Sequence, residues 1–431
     1  MQICAYNAEM HGYLFRNAAA GLAKALARAP AALLLGPRQC GKSTLARKLL
    51  AERGDGVLLD LQDRGDRAKL AEPELFLEAH RSQLVCLDEI QLLPEFFSLL
   101  RSEIDRDRRP GRFLLLGSAS GPLLRQSQES LAGRIAQVEL TPFLLQEVTG
   151  TSSWQQLWLR GGFPESLLAA TGEDSIDWRE DFIHTFLGRD IASLELGLPL
   201  PLMERLWRLL AHSQGQTLNA SRLSGLLDLR STRLQQLLAV LEQTFMLRRL
   251  PPLEANLSKR LVRSPKLYLR DSGLLHNLLG IETYDDLLAH PQAGESWEGF
   301  VIEQLIAAHP RWRAHFLRTS NGAELDLVLE RGQRRRVYEI KLSKAPKLSR
   351  GFHELVQQLQ PERAELIAPV DGSYAVKPGI WVRSPLEASQ PTTGSIGQSD
   401  QSQQLRARWF RSTATISSSR RDISSRRSPA G

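Results

Sequence analysis

Cysteine is nearly missing from this chain: 431 residues carry only Cys4, Cys40 and Cys86, an odd number at wide spacing. That excludes a disulfide framework and a cysteine zinc site, and it suits a reducing compartment. No apolar run approaches the roughly 20 residues that span a bilayer. Met1 to Tyr13 lacks a basic stretch followed by an apolar one, so no export leader and no membrane partner are expected, and the expected location is cytoplasmic. A basic body is lacking too, although the formal net charge is +7. From Gln390 onward seven arginines face only Asp400 and Asp422, a surplus of +5 that leaves +2 for everything before it. The high charge is largely a tail property.

What is present first is Gly36-Pro37-Arg38-Gln39-Cys40-Gly41-Lys42-Ser43, preceded by Ala31 to Leu35 and followed by Thr44 to Leu50. A buried strand enters and a helix leaves, which is the context that gives G-x-x-x-x-G-K-[ST] its meaning. Such a loop turns successive N–H groups inward as an anion nest, and the helix adds its positive end. Lys42 is positioned for the β- and γ-phosphates and Ser43 for Mg²⁺. The stretch from Gly36 to Thr44 is therefore the expected ATP site, with ATP and Mg²⁺ as cofactors.

Further apolar runs, Val57 to Leu61, Leu84 to Asp88, Phe113 to Ser118 and Val138 to Leu140, alternate with helical segments. This pattern predicts a parallel sheet covered on both faces, with function at the carboxyl ends of its strands. Asp88 is the expected metal-side carboxylate, and Glu89 the group that deprotonates the attacking water. Ser118 suits either the γ-phosphate and water or a helix cap. Arg134 is placed in sequence like an arginine finger acting on a neighbouring subunit, or it is a surface arginine.

These blocks together, with Leu87 to Pro94, Gly117 to Ser120, Leu131 to Arg134 and Gly161 to Glu165, resemble one prokaryotic family. It is that of AAA-type P-loop ATPases with a C-terminal domain of unknown function bearing a nuclease-like signature. The resemblance runs from about Tyr13 to about Leu386 and implies ATP binding and hydrolysis. Cys40 stands where a small aliphatic residue is expected, a change of volume more than of chemistry.

Residues 145–200 are expected to be a helical lid over the nucleotide. Leu202 to Leu250 reads as three short helices, the second starting at Asn219 or Ser221 and the third capped by Ser231 or Thr232, followed by a strand. With a return strand through Lys266 to Leu269 this is a winged-helix pattern over 201–285. Glu204 to Arg270 holds twelve Lys/Arg against four Asp/Glu, a surplus of +8, and Thr232, Arg233 and Gln236 are the expected nucleic-acid contacts.

Beyond Gly294, Asp326, a hairpin turn, then Glu339 and Lys341 resemble the PD-(D/E)XK nuclease core. Glu339 and Lys341 share one side of a strand, and Asp326 joins Glu339 about a Mg²⁺ ion. Glu298 is the expected additional acid and Glu303 the second choice. The expectation is thus an α/β chain: a P-loop NTPase parallel sheet (1–144), a helical lid (145–200), a winged-helix module (201–285), a restriction-endonuclease-like domain (290–387) and a disordered basic tail (388–431). Three functions stay open: an ATPase acting on or regulated by DNA or RNA, an ATP-gated nuclease, and an ATP-dependent switch or scaffold with an inactive nuclease-like domain. A homo-oligomer is the further expected partner state.

Overall fold

The structure, a computed structural model, describes residues 12–118, 131–191, 199–255 and 261–390. The expected basic tail lies outside the described residues, apart from its first three positions. Two compact units emerge, one around Phe15–Leu140 and one around Thr141–Pro391.

In the first unit, helix α1 (Ala18–Arg28) presents Ala19, Leu22, Ala25 and Leu26 inward. Strand β1 (Ala31–Gly36) follows and is buried along its whole length. Helix α2 (Lys42–Arg53) leads to β2 (Gly56–Asp60), and β3 (Leu84–Asp88) precedes α3 (Phe96–Arg106), β4 (Phe113–Ser118) and β5 (Ile135–Glu139). The sheet runs β2-β3-β4-β1-β5 with every neighbouring pair parallel. Unbroken apolar strands bury on both faces, and this explains why β1, β3 and β4 were legible as strands. The fifth strand begins three residues earlier than expected, because Ile135-Ala136-Gln137-Val138-Glu139 alternates as an edge strand does and so carries a weaker signal.

The second unit starts with α4 (Trp154–Arg160) and α5 (Gly172–Thr185), then α6 (Leu200–Ala211), α7 (Ala220–Leu227) and α8 (Ser231–Gln243). The antiparallel hairpin β6 (Leu247–Leu250) and β7 (Lys266–Leu269) follows, then α9 (Ser272–Leu278) and α10 (Ala293–Ala308). Strands β8 (Arg313–Arg318), β9 (Glu324–Arg331) and β10 (Arg334–Ile340) form an antiparallel meander. Helix α11 (Arg350–Leu359) then crosses to β11 (Arg363–Ile367), which lies parallel to β10, with β12 (Tyr374–Lys377) and β13 (Ile380–Arg383) completing six strands.

Asn219 caps α7 by accepting from the N–H of Arg222 at 3.0 Å. Arg230, rather than Ser231 or Thr232, occupies the cap position of α8, with no side-chain cap, since its extended backbone already ends the turn. The described ends of the loop between β6 and β7 are tied to β8: Leu253 N–H donates to Phe316 O at 2.7 Å and Val262 N–H to Arg318 O at 2.9 Å.

The described residues of 145–200 divide their buried apolar side chains between two cores of this same unit. Leu145 and Trp158 pack with Trp297, Phe300, Phe316 and Tyr338. Phe163, Phe182 and Phe186 pack with Trp207, Leu234 and Leu238. The aromatic faces available to a lid are thus used inside the second unit.

One polar chain crosses the first of these cores. Trp158 Nε1 donates to Ser296 Oγ at 3.0 Å, and Ser296 Oγ lies 2.7 Å from His276 Nε2. A carbonyl only accepts, so His276 Nδ1 carries the proton and donates to Leu159 O at 2.9 Å. Nε2 of the neutral ring then accepts from the Ser296 hydroxyl, whose oxygen accepts from the indole. Burial pushes this imidazole down to about 3, which keeps it neutral. Ser296→Ala strands two buried polar groups, and we expect a loss of about 2–3 kcal/mol in denaturant unfolding. A loss below about 0.5 kcal/mol would mean that the chain is not a structural link.

Candidate functional site

The glycine loop leaves β1 through a tight gap. A Cβ at Gly36 would stand 2.2 Å from Leu140 O and 3.1 Å from Cys40 Sγ, so no larger residue fits. Gly41 caps α2 in the left-handed region, φ 96°, where glycine has no steric penalty. Arg16 is buried and donates from Nη1 to Cys40 O at 2.7 Å, fixing the outer side of the turn. Cys40 is itself buried, 3.5 Å from Leu140 O, and burial pushes its thiol up. It packs beneath the loop as a small apolar residue.

Lys42 begins α2 with its ammonium buried, donating to Gly36 O at 3.0 Å and Pro37 O at 2.7 Å. Pro37 is buried, Arg38 and Ser43 are half-buried, and Gln39 and Thr44 are exposed. Asp88 ends β3, buried, and takes a hydrogen bond from Ser43. Burial raises the Asp88 carboxyl above the usual carboxylate range, the Ser43 bond opposes this, and the charge of Glu89 adds to it. Glu89 follows with φ 56°, a left-handed backbone uncommon for a side-chain-bearing residue. Its carboxylate accepts from Gln91 Nε2, a neighbour that sequence reasoning did not single out. Ser118 ends β4 in register with Gly36; its side chain lies outside the described residues.

Arg134 is not brought to this cluster. It precedes β5, at the amino edge of the sheet, and its O accepts from Ala31 N–H, the first residue of β1. Its guanidinium grips Asp105 with bonds of 2.9 and 2.8 Å. In a parallel sheet the amino edge is a full strand length from the loop, so within one chain Arg134 and Lys42 stand apart.

A second group of acids converges in the other unit. Tyr338 pairs with Leu327 across β10 and β9, which sets Glu339 beside Asp326. Asp326 Oδ2 accepts from Ile340 N–H at 2.7 Å. Lys341 Nζ lies 3.3 Å from Glu339 Oε1, while Glu339 Oε2 is buried without a hydrogen-bond partner among the described residues. Glu298, on α10, accepts from Lys266 Nζ at 2.8 Å and from the Tyr268 hydroxyl. Burial and the nearby Glu298 raise Asp326 to about 8, against the pull of Lys266 and Lys341. Among the described residues no group of three or more His, Cys, Asp or Glu side chains is arranged to hold a metal ion. On α8, Thr232 and Gln236 are exposed, and Arg233 Nη1 donates to Gln236 Oε1 at 3.0 Å.

Comparison with known proteins matches this layout. Residues 28–149 match an AAA domain, 151–285 a domain of unknown function, DUF8612, and 293–387 another, DUF4143. The uncharacterized protein Rv2008c of Mycobacterium tuberculosis is 42% identical over 383 residues, covering 89% of this chain and 86% of the relative. The uncharacterized protein Mb2031c of Mycobacterium bovis matches to the same extent. This chain belongs to the family that joins an AAA domain to a DUF4143 domain. The crystal structure of protein VC1899 from Vibrio cholerae, 14% identical over 89% of this chain and 99% of that one, superposes with a TM-score of only 0.18 and adds nothing to the fold.

The DUF4143 domain opens with α10, whose second inward acid, Glu303, is also taken. Arg248 donates to both of its oxygens, one of them at 2.8 Å, and Arg270 Nε donates at 2.9 Å. Glu303 is therefore an ion-pair partner, and its spacing from Glu298 gave no hint of that because both arginines come from more than thirty residues upstream. Burial alone would raise this carboxyl, but Arg248 and Arg270 hold it down at about 2. Its folded value lies below the unfolded one, so the stability it contributes is present above pH 4.5 and lost as the pH falls toward 2. Glu303→Gln should flatten that acid limb and lower stability at neutral pH by about 1–3 kcal/mol, because two half-buried guanidiniums lose their counter-charge. Unchanged unfolding curves at pH 3 and pH 7 would remove the ion pair from the stability of this unit.

Proposed function

We propose that this AAA-domain protein binds ATP and hydrolyses it at the carboxyl edge of the parallel sheet. The observation that carries the reading is Lys42, a buried ammonium at a helix start whose partners are two neutral loop carbonyls. A phosphate oxygen is a stronger acceptor than a carbonyl, so Lys42 exchanges Gly36 O and Pro37 O for the polyanion. The amides that open α2 add their dipoles to the same site. Ser43 and Asp88 are the residues that would hold Mg²⁺, whose charge would offset that of the phosphates. Their existing hydrogen bond keeps both oxygens at one place. Glu89 takes the proton from the attacking water, and Gln91 steadies its carboxylate. The Ser118 backbone, in register with Gly36, ends β4 at the same edge. Arg134 serves as the partner of Asp105.

A second reading concerns α7 and α8 as a winged-helix-like contact for DNA or RNA. Its support is that Thr232, Gln236, Arg222 and Arg230 are exposed on the helix pair. Arg248 and Lys266 of the β6 and β7 strands and Arg270 after them are less suited to it, because they already face carboxylates of α10 and β9.

Lys42→Ala should abolish nucleotide binding in a fluorescent-ATP titration, and retained affinity would contradict the site. Glu89→Gln should bind ATP normally while turnover falls by about a hundredfold or more; unchanged turnover would remove Glu89 from its role. ATP turnover measured with and without DNA and RNA tests the second reading: stimulation that Gln236→Ala together with Arg230→Ala removes supports it, and none opposes it.

A further inference from the structure

The geometry points to Lys266 as the resident cation of the acidic centre in the DUF4143 domain, standing where a divalent metal would otherwise sit. The ammonium is buried, 2.8 Å from Glu298 Oε1 and 2.6 Å from Glu324 Oε1. Tyr268, two residues along the same strand, gives its hydroxyl to the same Glu298 oxygen. Asp326 has one oxygen on a backbone N–H, and Glu339 has Lys341 as its own counter-charge. A Mg²⁺ or Mn²⁺ ion needs several oxygens at close to 2 Å, arranged octahedrally. Entering between Glu298 and Asp326, it would meet a fixed positive charge and a hydroxyl donor pointed at the same carboxylate. The residues therefore do not fit a resident divalent ion at this centre.

Lys266 is also not poised to leave. Strand β7 pairs with β6 on one side. On the other side Gly215 N–H donates to Leu267 O at 2.8 Å, Leu267 N–H to Gln216 O at 3.0 Å, and Leu218 N–H to Pro265 O at 2.7 Å. Gln214 Oε1 accepts from Leu269 N–H at 2.8 Å. A lysine held from both edges of its strand is a permanent part of the centre. The cation comes from the segment before the DUF4143 domain, so that domain obtains its charge balance from its neighbour in the chain.

The test is Mn²⁺ titration of the full-length, nucleotide-free protein by calorimetry, comparing wild type, Asp326→Asn, Lys266→Met and the double variant. Wild type and Asp326→Asn should give the same curve. Lys266→Met, which keeps most of the unbranched side chain and removes its charge, should gain Mn²⁺ affinity by about tenfold or more, and the added Asp326→Asn should remove the gain. Binding in the wild type that Asp326→Asn abolishes would overturn the proposal. So would a folded Lys266→Met chain, checked by circular dichroism, that gains nothing. Should Lys266→Met fail to fold, the wild-type and Asp326→Asn curves decide alone.

Discussion

A buried ammonium needs acceptors, and what those acceptors are decides what it does. Lys42 is almost wholly removed from water, and its hydrogen bonds go to Gly36 O and Pro37 O. Carbonyl dipoles satisfy hydrogen-bond geometry without cancelling charge. The positive charge at the head of α2 is therefore offset only in part, by the nearby Asp88 carboxylate, and it stands beside a helix start that is itself positive. Everything assigned to the AAA domain depends on this imbalance. It requires β1 to end at Gly36 with no Cβ, Arg16 to hold Cys40 O, and Gly41 to turn the chain into the helix.

Lys266 is the contrasting case in the same chain. It is as buried as Lys42 and just as close to oxygen, but its oxygens belong to Glu298 and Glu324. Those carboxylates, with Asp326 nearby, hold the ammonium firmly charged even though burial opposes it. An anion has nothing to gain by approaching, and a second cation is repelled. Two lysines of equal burial thus divide into one with room for a charged acceptor and one already among carboxylates, and the difference lies in whether the hydrogen-bonded oxygen carries charge.

The sequence disclosed the first case and concealed the second for one physical reason. The phosphate loop is local: eight consecutive residues contain the strand end, the turn, the ammonium and the hydroxyl, so their spacing describes their geometry. Asp88 and Glu89 were legible because an apolar run that ends in acids places them at a strand end. Asp326, Glu339 and Lys341 were legible in the same way, through one hairpin. Lys266 and Glu298 lie thirty-two positions apart, and Arg248 and Glu303 fifty-five. Such a pairing has no signature in spacing, since it depends on how β7 packs on α10. Which sheet edge Arg134 occupies was hidden for a related reason: its place in a run of motifs does not report strand direction, which puts it at the edge away from the Lys42 of its own chain.

The same reasoning limits what a charge count conveys. A surplus of +8 over Glu204 to Arg270 describes a list of side chains and not a field. Glu298, Glu303 and Glu324 lie outside that stretch, and each faces a cation within it. Arg249, still inside it, faces Glu242. Arg248 and Lys266 of the β6 and β7 strands and Arg270 just after them join the middle of the chain to the DUF4143 domain, while Arg222 in the first turn of α7, Arg230 before α8 and Arg263 in the hairpin loop are exposed. A count of residue types therefore does not describe the field, because a charge already paired with a carboxylate attracts little over the roughly 10 Å that salt leaves unscreened.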